Sequence, residues 1–126
     1  MMFATKPIIA FVATTNPDAT KAFYRDVLGL PLISDEEFAL VFDANGTMLR
    51  IAKVQQLAPA QHTVLGWRVT EIESMVRQLG KRGVSFERYP GLTQDELGIW
   101  ATKDGAKVSW FKDPDGNTLS LSEFAD

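Results

Sequence analysis

Residues 8 to 14, IIAFVAT, form a short apolar run rich in β-branched side chains and closed by the turn-like TTNP, the pattern of a buried strand. Polar and apolar positions then alternate at helical spacing. Asn16 is suited to cap a helix whose first turn holds Pro17 and Asp18, and Ala19, Ala22, Phe23 and Val27 mark one apolar face as far as Leu28. Gly29 supplies a left-handed stop, and Leu30, Leu32 and Ile33 begin an extended exit. Two further apolar runs, 38 to 42 and 48 to 54, flank Asp43-Ala44-Asn45-Gly46, and an Asn-Gly between strand-like runs predicts an antiparallel hairpin.

The stretch 55 to 61, QQLAPAQ, has no period and reads as a linker. The plan then begins again. A strand over 62 to 69 leads into a helix over 71 to 81 with an Ile72, Met75, Val76, Leu79 stripe, and Gly83 ends it as Gly29 ends the first. A strand over 84 to 89 is expected next, then a hairpin of 98 to 103 with 107 to 112 around Asp104-Gly105. The turn Asp113-Pro114-Asp115-Gly116-Asn117 leads to a last strand at 118 to 122. The expected class is α+β, a β-α-β-β-β plan used twice in one domain: module one at 1 to 54, linker 55 to 61, module two at 62 to 126. Two helices cannot cover both faces of so many strands, so one sheet face must close over a packed core or a cavity.

Composition narrows the function classes. At 126 residues, 45% apolar and 23% charged, the chain can bury roughly two thirds of its unfolded surface without metals or disulfides. It has no cysteine, which removes thiolate metal sites and cysteine nucleophiles and suits a reducing cytoplasm. The N-terminal run has strand length and lacks the form of a secretory signal, and no stretch reaches membrane-span length, so a soluble protein without a membrane partner is expected. The net charge of -3 and scattered basic residues argue against nucleic acid as a partner.

Three stretches carry a resemblance: AFYRDVLGL at 22 to 30, the second strand-helix unit ending at Gly83, and DPDGN at 113 to 117. In this order they resemble the vicinal oxygen chelate superfamily, the glyoxalase, bleomycin-resistance and extradiol dioxygenase proteins. The resemblance implies two βαβββ modules forming a cupped mixed sheet, a ligand pocket on its concave side, and frequent homodimers. In metal-using members it also implies one metal ligand on each of four strands. Those positions here are Ile9, Arg50, Val64 and Ser120, none of them a strong donor, and the chain has a single histidine. No metal, other cofactor or catalytic residue is therefore expected. A shift of register that brings His62 to the side of Val64, with Glu123 or Gln61 near, remains the alternative for a metal-dependent lyase or dioxygenase.

Strand parity names the expected pocket lining: Ile9 and Phe11, Met48 and Arg50, Val64, Gly66 and Arg68, and Ser120. The resemblance adds Trp110 against the ligand. Trp67 has the opposite parity and should pack under a helix, while parity does not orient Trp100. Arg50 and Arg68 facing an apolar, aromatic-walled space point to an anionic small molecule; an Arg50 salt bridge at the rim is the structural alternative. Sequestration of a cationic drug, as in bleomycin-resistance proteins, and a cup that binds a protein partner stay open as further readings.

Overall fold

The computed structural model describes residues 2 to 125. Packing divides the chain after Ala58 into two compact units, each with its own four-stranded mixed sheet and one helical segment.

In the first unit β1 (Ile9–Thr14) leads into α1 (Pro17–Ala22), which continues as a π-helical turn over Phe23–Val27. Pro17 occupies the first turn, the Asn16 side chain accepts from the Ala19 N–H at 3.5 Å, and Gly29 takes φ +77° beyond the end. β2 (Leu32–Asp35), β3 (Ala39–Ala44) and β4 (Thr47–Lys53) follow, and the sheet order is β1-β4-β3-β2 with β1 parallel to β4. Asn45 and Gly46, both at positive φ, make the two-residue turn that joins β3 to β4, with Asp43 Oδ1 accepting from the Gly46 N–H.

The face under the helix is dry. Leu40, Phe42, Leu49 and Ile51 are fully buried there, and Tyr24 lies against Phe42 with ring centroids 5.8 Å apart. The expected helix stripe is corrected by this packing. Thr20 and Tyr24 are the buried positions and Ala22 is exposed, because the Thr20 hydroxyl pairs with that of Thr14 at 2.8 Å. A polar residue thus enters the core with its partner.

In the second unit β5 (Thr63–Arg68) leads into α2 (Ile72–Lys81), whose Ile72, Val76 and Leu79 are buried against β7 (Lys107–Lys112) and β8 (Thr118–Glu123). The sheet order is β5-β8-β7-β6, with β5 parallel to β8. The first amide of α2, at Ile72, donates to the Glu123 carboxylate at 2.9 Å, so the last strand helps to cap the helix.

Two expected strands are shorter here. Residues 84 to 89 contribute only a bridge between Phe86 and Phe111, and 98 to 103 contribute only β6 (Trp100–Ala101). The cause is the Gln94 side chain. Its oxygen accepts from the Tyr89 N–H, and its nitrogen donates to the carbonyls of Glu87 and Gly98, so it takes backbone groups that a strand ladder would otherwise use. The turn after β7 is closed by Asp113, whose carboxylate accepts from the Asp115 and Asn117 amides and the Asn117 side chain. No helix among the described residues is long and apolar enough to cross a membrane.

Candidate functional site

Each sheet has one face turned to its helix and one open face. Register decides which residues share the open face, because paired residues in adjacent strands project to the same side. On the first sheet Ile9 pairs with Met48 and Phe11 with Arg50, while Val41 and Asp43 of β3 continue these two rows. All four expected lining residues of this unit are thus brought together. Ile9, Phe11 and Met48 are exposed, Phe11 to 62%, and Val41 is buried beside Arg50.

Arg50 is not a lone cation on this apolar surface. Its guanidinium donates to Glu36 Oε1 at 3.3 Å, and the other oxygen of that carboxylate accepts from the Ser34 hydroxyl at 2.8 Å. The Ser34 hydroxyl, and then Arg50, hold the Glu36 carboxyl below its ordinary value. The structural alternative for Arg50 is therefore present. Next to it Asp35 meets Lys21 and Lys53, each at 2.6 Å, and these two ammonium groups lower its pKa in turn.

On the second sheet Gly66 pairs with Ser120 and Ser120 with Trp110; the adjacent row runs Arg68, Ser122, Val108, Trp100. Arg68, Trp110 and Ser120 therefore share the open face. Val64 lies at a register irregularity between Thr63 and Leu65 and is exposed. The register also orients Trp100, which stacks on Trp110 at 6.1 Å and 28°. Tyr89 approaches Trp110 edge-on at 5.3 Å, and burial, with the Glu87 charge next, pushes its hydroxyl pKa up. Sequence reasoning named neither Tyr89 nor Glu36. Trp67 pairs with Leu121 on the opposite face, as its parity requires.

Arg68 lies with its guanidinium carbon 5.3 Å from the centre of the Phe124 ring. Gly66 has a steric reason to be glycine, since a Cβ there would stand 2.7 Å from Ser120 Oγ. His62 is exposed, and the Glu123 carboxylate accepts from the Ile72 amide at the start of α2.

A model of the glyoxalase/bleomycin resistance protein/dioxygenase superfamily matches residues 8 to 121. The chain belongs to that superfamily. Solved structures of similar fold include a glyoxalase family protein from Bacillus anthracis, at 18% identity and TM-score 0.76 over 98% of both chains. A lactoylglutathione lyase from Agrobacterium tumefaciens is similar at 18% identity and TM-score 0.74 over 95% of both chains. The fosfomycin resistance protein FosX from Listeria monocytogenes is similar at 12% identity and TM-score 0.74, covering 98% of this chain and 96% of its own. The comparison with curated proteins finds no match.

The residues at the four positions that the resemblance assigns to metal ligands do not fit a divalent ion. Ile9 and Val64 have no donor atom, Arg50 carries a fixed positive charge, and Ser120 offers a neutral hydroxyl. Among the described residues no three His, Asp or Glu side chains gather as a metal site requires.

Proposed function

We propose that this superfamily member is a metal-independent binding protein for a small organic acid. The observation that carries the reading is the open face of the first sheet, where Arg50 sits in register with Phe11 and beside Ile9 and Met48. A guanidinium on an apolar surface is suited to a carboxylate with a hydrophobic body. The Glu36 pair does not remove this capacity. Both partners are substantially exposed and screened by water, so an incoming carboxylate can displace Glu36. On the second sheet Arg68, Ser120, Val64 and the Trp110 ring offer a cation, a hydroxyl and an apolar wall. The reading extends to a cytoplasmic homodimer, which suits a cysteine-free chain with exposed Ile9, Phe11 and Met48.

The test is a calorimetric titration with 1-naphthoate, a planar carboxylate, into wild type and Arg50→Met, with metal content measured after incubation with zinc, manganese, nickel and iron salts. Wild type is expected to bind naphthoate and retain no stoichiometric metal. Arg50→Met should weaken binding by about 10- to 100-fold, the loss of a charge-assisted hydrogen bond. One retained equivalent of metal, or unchanged affinity in Arg50→Met, would count against the reading. Preference for 1-naphthylmethylammonium would favour drug sequestration instead.

A further inference from the structure

We infer that Glu36 is a built-in competitor for the Arg50 guanidinium and sets how tightly, and how selectively, the chain holds an acid. The inference rests on the proposed acid-binding role. Its ground is that Glu36 is placed by its surroundings rather than lying loose on the surface. The Glu36 amide donates to the Ala39 carbonyl at 2.8 Å, and the Glu36 carbonyl accepts from Lys53 Nζ at 2.6 Å. That same ammonium holds Asp35, which also meets Lys21, and the Lys53 amide donates to the Phe38 carbonyl. The turn between β2 and β3 is therefore tied down on both sides of Glu36. Ser34 then fixes one carboxylate oxygen and leaves the other for Arg50.

Such a carboxylate acts as an internal ligand. It occupies the guanidinium before any acid arrives, so part of each acid's binding free energy goes into displacing it. A neutral ligand that uses only Ile9, Phe11 and Met48 meets no such cost. Glu36 thus lowers acid affinity without touching the apolar surface, and the ratio of acid to neutral affinity is the quantity it controls.

The experiment compares 1-naphthoate with neutral 1-naphthalenemethanol in wild type, Glu36→Gln, Ser34→Ala, Arg50→Met and the Glu36→Gln/Arg50→Met double variant. Glu36→Gln is expected to bind naphthoate about five-fold more tightly, with naphthalenemethanol unchanged. Ser34→Ala frees the Glu36 carboxylate to swing away and shifts naphthoate in the same direction by a smaller factor. In the Arg50→Met background the Glu36 substitution should have no effect, a coupling that a merely structural role for Glu36 does not produce. Unchanged or weaker naphthoate binding in Glu36→Gln, with wild type binding normally, overturns the inference and leaves the acid-binding reading standing. Equal gains for both probes overturn it as well. A wild-type chain that binds neither probe overturns the acid-binding reading itself, and this inference with it.

Discussion

The two units repeat one plan, and the repeat is close on one face and absent on the other. On the covered faces the same pair stands in the same register: Phe42 opposite Leu49 in the first unit and Phe111 opposite Leu119 in the second, all four fully buried. On the open faces the matching rows are opposite in size. Phe11 and Arg50 pair in the first unit where Gly66 and Ser120 pair in the second, and Val41 completes the first row where Trp110 completes the second. The covered face must exclude water from a helix and a sheet, so apolar bulk is required at fixed places in both units. The open face is under no such demand, and there each unit carries different chemistry.

That comparison is open to direct attack. Phe42→Ala and Phe111→Ala each remove a fully buried ring, and each should cost about 3 to 5 kcal/mol in urea unfolding. If the covered faces are equivalent, the two losses should agree within about 1 kcal/mol; a much smaller loss at one site would break the equivalence. A second pair probes the open rows. Gly66→Ala places a methyl 2.7 Å from Ser120 Oγ and should cost about 1 kcal/mol, recovered when Ser120→Ala is added. Phe11→Ala, at the matching position, should stay within about 0.5 kcal/mol because that ring is already in water. An equal cost at the two sites would show that the open faces constrain folding alike.

Legibility in the sequence followed the same division. Apolar runs and the Asn45-Gly46 turn expose the covered faces, because burial imposes a period that survives in one chain. Parity then placed Ile9, Phe11, Met48 and Arg50 on one face without any structure. It did not supply Glu36, which reaches Arg50 from a turn 14 residues earlier along a path set by Lys53 and Ala39. A signal existed in the Asp35-Glu36 pair at a strand end, but acidic pairs in turns are common and usually solvated. The missing strand at 84 to 89 has a similar origin. Its apolar and polar residues suit a strand, yet one Gln94 side chain claims the backbone groups, and no local pattern reports that claim. Trp100 takes its side from its pairing with Val108, in a strand of two residues where the sequence suggested a longer one.

The smallest expected effect separates the units by acid. Asp35 is held below its ordinary pKa by Lys21 and Lys53, whereas the Lys107–Glu73 pair of the second unit is longer, at 3.8 Å. A carboxyl depressed in the folded state contributes stability that is present above its unfolded pKa, about 3.9 for Asp, and that is lost as pH falls through the lower folded value. The loss belongs to the first unit, since Asp35, Lys21 and Lys53 all lie there. All three tryptophans, Trp67, Trp100 and Trp110, lie in the second, so their fluorescence reports that unit alone. Lowering the pH from 5 toward 2 should therefore reduce hydrogen-exchange protection at the Lys53 and Ala39 amides before tryptophan emission moves. The shift should shrink in 1 M salt, where exposed charges are screened. Asp35→Asn should reduce the pH dependence of protection while leaving the emission curve in place. If emission moves first, or if Asp35→Asn keeps the wild-type slope, the charged clasp does not distinguish the first unit, and the two open faces differ in shape alone.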